Sequence, residues 1–376
     1  EKYRLYTDMQ LGYSRQRSEG DGWNLTTADV MMTDSINSSW YRSRSQSDRF
    51  NGRGYASLTR RLATGDNLYV IVRGDFSRQY NPDSWSQNNY DYYKTGKNDH
   101  RDRYTHSPNY NYNYSAELNY RYQLTKMLDI TPSVGLGKGD NNSDRHEYLR
   151  DSIDYQFDLQ NSYEQRTQTF DRRASVDISY HKSTPKYYMG IYPAVSVNFQ
   201  RQYMNYESQL LTISLTRHYT LFTPNVYMYL DTTDNKLGLT AYYSLWPSTP
   251  SVTDLIDRPI TSDPLKVYLG NPGLKMSQSH NWHIDMSLRR DSIDQTIRIR
   301  TDASITYNQR TQGYTYDMAT GVRTYRPENI ASGNWNVSLN LNWDRVLGRK
   351  KLFHLGQELV FRYNKSTGLA LTTGST

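Results

Sequence analysis

Asp140, Asn142 and Asp144, in the run GDNNSD, occupy positions one, three and five of a window whose twelfth position is Asp151. Oxygen side chains at that spacing are the ligand pattern of a calcium loop, which makes calcium the one cofactor the sequence suggests. Arg145 replaces the glycine that turns such a loop at its sixth position, so a solvated acidic loop is the competing reading. His280 and His283 are three residues apart, and on a strand an odd offset sends two side chains to opposite faces, so they are poor co-ligands. Asp177, Ser179 and His181 share one strand face, as do His283, Asp285 and Ser287, and these are the nearest approach to a hydrolase set. Ser and Asp are too common here for such neighbours to mean much, and nothing fixes a base against a nucleophile. No catalytic residue is assigned and the chain reads as a non-enzyme. Gly135, Gly137 and Gly139 follow a strand pattern without opening a helix, so they cradle no phosphate and serve to relieve crowding or bend the strand. The segment SWSQNNYDYYKTG offers Trp85, Tyr90, Tyr92 and Tyr93 as ligand-contacting rings for sugars or peptides. Packing within their own loop, or contact with lipopolysaccharide, is the plainer alternative. Arg101, Arg103, Arg145 and Arg150 are basic loop residues suited to lipid phosphates.

The elements that must carry these residues are strands. Residues 109–124, NYNYNYSAELNYRYQL, alternate tyrosine, alanine and leucine with polar residues over the whole run. Period two is a strand with one apolar and one polar face. The same alternation recurs in about thirteen segments, from Tyr3–Tyr13 to Phe353–Tyr363, with a further segment at 22–32 that fits no stave. Tight turns at 63–67, Thr125-Lys126, 182–186, 232–236, 290–294 and 345–350 alternate with longer stretches at 15–53, 78–108, 138–170, 204–214, 247–279 and 310–332. One end of the sheet is therefore short and the other long, with apolar and polar residues alternating along every strand, which is the pattern of an outer-membrane β-barrel. The polar column of Asn, Gln, Ser, Arg, Asp and Glu predicts a wide lumen holding water or a polar plug. Thirteen antiparallel strands start and finish in the same direction and cannot close on themselves, so residues 1–376 read as one incomplete barrel domain, without a plug domain.

Composition narrows the alternatives. Tyrosine, present 36 times, supplies much of the apolar surface of a chain that is only 36% apolar, with a mean hydropathy of -0.89. Alternating strands average to such a polar value, so hydropathy does not argue against a membrane. A net charge of +7 arises from 45 basic and 38 acidic residues that are interspersed, with no basic run, which argues against nucleic acid as a partner. Cysteine is absent, so there is no disulfide framework and no thiolate metal site. Glu1 is followed by no charged, apolar and cleavable leader, which reads as a leader removed or a chain cut from a longer one.

Residues 246–282 carry Pro250-Ser251, Asp263-Pro264-Leu265 and Gly270-Asn271-Pro272-x-Leu274-Lys275 just before a strand. This stretch resembles the TonB-dependent receptor family, particularly its Bacteroidetes-type outer-membrane barrels, and RTYRPENIASGNW at 323–335 is similar to the loop-to-strand passage that follows there. Where the family usually continues with Pro-Glu, this chain has Met276-Ser277. The resemblance implies a transmembrane antiparallel barrel of about 22 strands, of which this chain is part, in a Gram-negative outer membrane. It also implies energised uptake of a nutrient through TonB, with outer-membrane lipid and lipopolysaccharide as surroundings and a surface lipoprotein as a further partner. A barrel of the same descent that only scaffolds surface lipoproteins or an export or assembly complex is the alternative. The GNPxLK residues themselves read as structural, with Gly and Pro setting backbone geometry where the loop meets the wall.

Overall fold

The computed structural model describes residues 3–27, 34–62, 65–151, 154–234, 236–317, 320–348, 352–368 and 370–373. Parts of the tight turns predicted at 63–67, 232–236 and 345–350, the segment after Thr27 in 22–32, the side chain of Asp151 and both chain ends lie outside the described residues. Thirteen strands form the wall. They are β1 (Tyr3–Thr27), β2 (Ser35–Arg61), β3 (Asn67–Tyr92), β4 (Asn109–Thr125), β5 (Leu128–Ser143), β6 (Glu164–Ser183) and β7 (Tyr187–Glu207). The wall continues through β8 (Thr212–Thr232), β9 (Leu237–Ser248), β10 (Ser277–Arg290), β11 (Gln295–Tyr307), β12 (Asn334–Leu347) and β13 (Phe353–Lys365). Each pairs antiparallel with the next in chain order, and β1 and β13 are the two edges of this thirteen-strand wall.

Alternation decides which way every side chain faces. Leu118 on β4 lies opposite Val70 on β3 and Val134 on β5, while its neighbour Asn119 lies opposite Tyr69 and Ser133. The apolar column is open to the surroundings: Leu5, Leu136 and Leu359 are 68%, 66% and 60% exposed. An apolar face of this extent does not remain bare in water. With an apolar outer face and a polar inner face along antiparallel strands, the wall is of the outer-membrane barrel type.

The long stretches turn out differently from the prediction. Much of 15–53 and 78–108 is strand, so β2 runs for 27 residues and β3 for 26, against the 9–11 or so that cross a bilayer. Above the hydrocarbon both faces of a ribbon can be polar, so alternation fades there while the backbone ladder continues, and the sequence signal disappears before the strand does. The stretch 138–170 likewise begins within β5 and ends within β6, and it carries the short strands His146–Asp151 and Asp154–Phe157. The upper half of β3 leaves β4 and pairs with a strand at Lys97–His106, which in turn pairs with His146–Asp151. A bulge marks this fork: Asn81 and Pro82 stand opposite Ser47 alone, with Asn81 at φ 46°. One extra residue reverses the side-chain alternation of everything beyond it.

Candidate functional site

Two long connections fold over the inner face at the elaborated end. The one between β9 and β10 holds α1 (Val252–Leu255) and the short strands Ile260–Asp263 and Lys266–Tyr268, and the one between β11 and β12 is the hairpin Gln309–Asp317 and Arg323–Ile330. Lys266–Tyr268 runs parallel to Arg323–Tyr325, which joins the two connections in a small second sheet.

An apolar anchor holds the first connection. Val252, Leu255, Ile256 and Leu274 bury against Met204 and Tyr206 of β7, flanked by Tyr163, Ile213 and Leu215. Met204 and Tyr206 belong to the polar inner column, above Asn198, Gln200 and Gln202, and two apolar residues in a polar column are a local signal, unread in the sequence, that could have announced a docked element. Each such side chain contributes roughly 1.5–3 kcal/mol when buried. Within this anchor the GNPGLK residues act through the backbone. A Cβ on Gly270 would overlap the Ile256 carbonyl oxygen. The Asn271 amide donates to the Asp254 carbonyl at 2.5 Å and its side chain to the Pro327 carbonyl at 3.0 Å. The Pro272 carbonyl accepts from Arg217 at 2.6 Å, and the Lys275 amide donates to Asn329 at 2.7 Å. Pro250 precedes Ser251, whose hydroxyl caps α1 at the Asp254 amide. Asp263 accepts from the Leu265 amide at 3.0 Å across the turn that contains Pro264. Gly270→Ala is therefore expected to loosen this connection by about 1–3 kcal/mol. Faster hydrogen exchange confined to residues 249–276, with the wall strands unchanged, is the measurement that shows it.

A polar clamp holds the other side. Glu147 is fully buried, at 0% exposure. Arg145 donates to its Oε2 at 2.5 and 3.0 Å, and the Ser262 hydroxyl donates to the same oxygen at 3.1 Å. Arg103 Nε lies 2.9 Å from Oε1, close enough for an ion pair although its N–H is not aligned as a hydrogen bond. Arg103 also donates to the Ser262 carbonyl, and Arg101 to that of Thr261 at 3.3 Å. Beside the clamp, burial pushes the Tyr90 hydroxyl well above its ordinary value, helped by Asp263. Burial lowers the Arg258 guanidinium, which lies 5.4 Å over the Tyr206 ring. Sequence reasoning missed Glu147 and Ser262, which carry no local pattern. Arg101, Arg103 and Arg145 were assigned to lipid phosphates, and these three are turned inward onto the connection.

The residues predicted to contact a ligand do not converge. Beyond the bulge Trp85 faces outward, Tyr90 and Tyr92 face inward, and Tyr93 lies just past the end of β3, its hydroxyl donating to Ser38 at 3.0 Å. The segment expected to be a loop is the upper part of a strand, and alternation divides its rings. The calcium pattern meets the same obstacle. Asp140 and Asn142 are on β5, and residues two apart on a strand are spaced by roughly 6.6 Å instead of wrapping a common centre. Arg166 engages both oxygens of Asp140, at 3.0 and 2.5 Å, and its hydrogen bonds hold that carboxyl below the usual range. Asn142 donates to Asp144 at 2.9 Å. Among the described residues no three His, Asp or Glu side chains gather to hold a metal ion. His280 and His283 do take opposite faces: His280 is 3.0 Å from the Tyr243 hydroxyl on the outer side, and His283 is 2.6 Å from Asp302 on the inner. Asp285 accepts from Arg300 at 2.8 Å.

No protein-family model matches the chain, and no curated protein matches it. Among solved structures it is similar to a double mutant of the Serratia marcescens hemophore receptor HasR in complex with its hemophore HasA and heme. That likeness has 11% identity and a TM-score of 0.47, covering 96% of this chain and 59% of that one. It is also similar to the alcaligin outer-membrane receptor FauA of Bordetella pertussis, at 12% identity and a TM-score of 0.46, covering 96% and 56%. For the siderophore receptor PiuA of Acinetobacter baumannii the values are 9% and 0.41, covering 98% and 65%. The chain spans less than two thirds of the length of each.

Proposed function

We propose that this chain is wall and outer mouth of a TonB-dependent nutrient receptor in a Gram-negative outer membrane. The observation that carries the reading is the inward-folded connection 249–276. A polar-lined wall with an apolar exterior makes a pore, and a buried anchor and a buried clamp keep part of its mouth covered from within. A mouth partly covered from within favours ligands it can recognise over free diffusion, and energised uptake is what the family resemblance adds. The GNPGLK passage adds the likeness to Bacteroidetes-type barrels. TonB, lipopolysaccharide and a surface lipoprotein are the partners this reading entails. Calcium at Asp140 would have to displace Arg166, and it enters only as a minor ligand of the exposed end.

The complete gene carrying this segment, expressed with and without TonB in a Gram-negative host, tests the reading. Growth on one of a panel of heme, ferric siderophores, glycans and peptides is expected to require both proteins. Assembly in the outer membrane with no TonB-dependent growth on any of them, together with stoichiometric co-purification of a lipoprotein or an assembly factor, would instead establish the scaffold alternative.

A further inference from the structure

We infer that the outer face of the projecting β3 fork is a binding platform for the sugar chains of the surrounding lipopolysaccharide. This rests on the outer-membrane reading above. Trp85, Tyr104, Tyr148 and Phe157 form an unbroken row across four adjacent strands, with ring centroids 5.5, 5.7 and 5.4 Å apart. Cross-strand pairing fixes the side on which the row lies. Trp85 stands opposite Arg44 of β2, and Arg44 shares its face of β2 with Phe50, Ala56 and Leu58, the membrane-facing column below. The row therefore continues the lipid-facing side of the wall upward beyond the apolar band, where the sugars of the outer leaflet lie.

Its chemistry suits a neutral or mildly anionic glycan. Flat, partly exposed rings stack on sugar faces, and fixed polar groups at the border accept from and donate to hydroxyls. Asp83 accepts from the Tyr104 hydroxyl and lies beside His106, both at 2.8 Å, and Asp102 holds the Tyr155 hydroxyl at 3.1 Å and Arg150 at 3.3 Å. These contacts hold the rim in place before a ligand arrives, so little ordering cost is left for binding. Trp85, Tyr104, Tyr148 and Phe157 all keep part of their surface open, none of them being buried, and Tyr155, which packs against Tyr104 beside the row, is 41% exposed.

The test uses the full chain in detergent micelles, offered either lipopolysaccharide with its complete core sugars or the same lipid stripped to its acylated disaccharide. The unsubstituted protein should retain the complete form better. Trp85→Ala with Tyr104→Ala should lower that retention about ten-fold while leaving the stripped lipid unaffected, and Trp85→Phe with Tyr104→Phe should restore most of it. Equal retention of the complete form by the double alanine variant would overturn the inference, as would no preference for it in the unsubstituted protein. Should the double variant fail to assemble, Tyr155→Ser with Arg150→Ser, at the exposed border beside the row, must show the same selective loss, and unaltered retention there overturns the inference equally. If the unsubstituted protein binds neither lipid and does not migrate heat-modifiably, the membrane reading itself is what fails.

Discussion

Leu118→Arg is expected to block assembly into the membrane, whereas Asn119→Arg, one residue along the same strand, is expected to be tolerated. Leu118 is 43% exposed between Val70 and Val134 on the apolar face, so a guanidinium there would face hydrocarbon in mid-wall. That costs about 2–4 kcal/mol at the bilayer midplane, enough to lower the assembled fraction by one to three orders of magnitude. Asn119 faces the polar interior opposite Tyr69 and Ser133, where an arginine keeps its water. The fraction showing heat-modifiable migration after outer-membrane isolation measures both variants. Equal tolerance of the two would mean that the faces of the wall are assigned the wrong way round.

Glu147→Ala should give the largest local effect. Its carboxylate is wholly buried between Arg103 and Arg145 and also receives the Ser262 hydroxyl, so truncation leaves the nearly buried Arg103 and the partly exposed Arg145 without their anion and detaches the inner connection. Breaking a buried pair from one side typically costs about 3–5 kcal/mol. The wall is held by its own backbone ladders, so the loss should appear as trypsin cleavage at Arg258 and rapid exchange over 249–276, with the barrel otherwise assembled. Glu147→Gln keeps the shape and one acceptor and should fall between the two. Cleavage at Arg258 equal to that of the unsubstituted protein would show that the apolar anchor alone holds the connection.

The two predictions differ in how far they were visible beforehand. The Leu118 and Asn119 faces follow from alternation, which is local: a strand two residues further on repeats its orientation, and 109–124 announced β4 almost to the residue. The same signal identified all thirteen wall strands and the end at which the connections are tight. It stopped where the environment stopped rewarding alternation, so the upper parts of β1, β2 and β3 read as loops although the backbone ladder runs through them. Glu147 had no such signal. Its importance depends on Arg103, 44 positions earlier, and Ser262, 115 positions later, meeting across the inner face.

Trp85 lies between these cases. Its aromatic neighbours were noticed in the sequence as a group, but odd spacing on a strand parts Trp85 from Tyr90 and Tyr92, and the bulge at Asn81 and Pro82 reverses the parity of β3, which turns Trp85 outward and the two tyrosines inward. What the amino-acid sequence determined by itself was the two-faced antiparallel wall and its asymmetric ends, because period-two burial is dictated by the nearest neighbours on one strand. What only the tertiary structure decided was where the bulge falls, which connection folds inward and which charges meet to hold it, because those depend on residues brought together from distant strands.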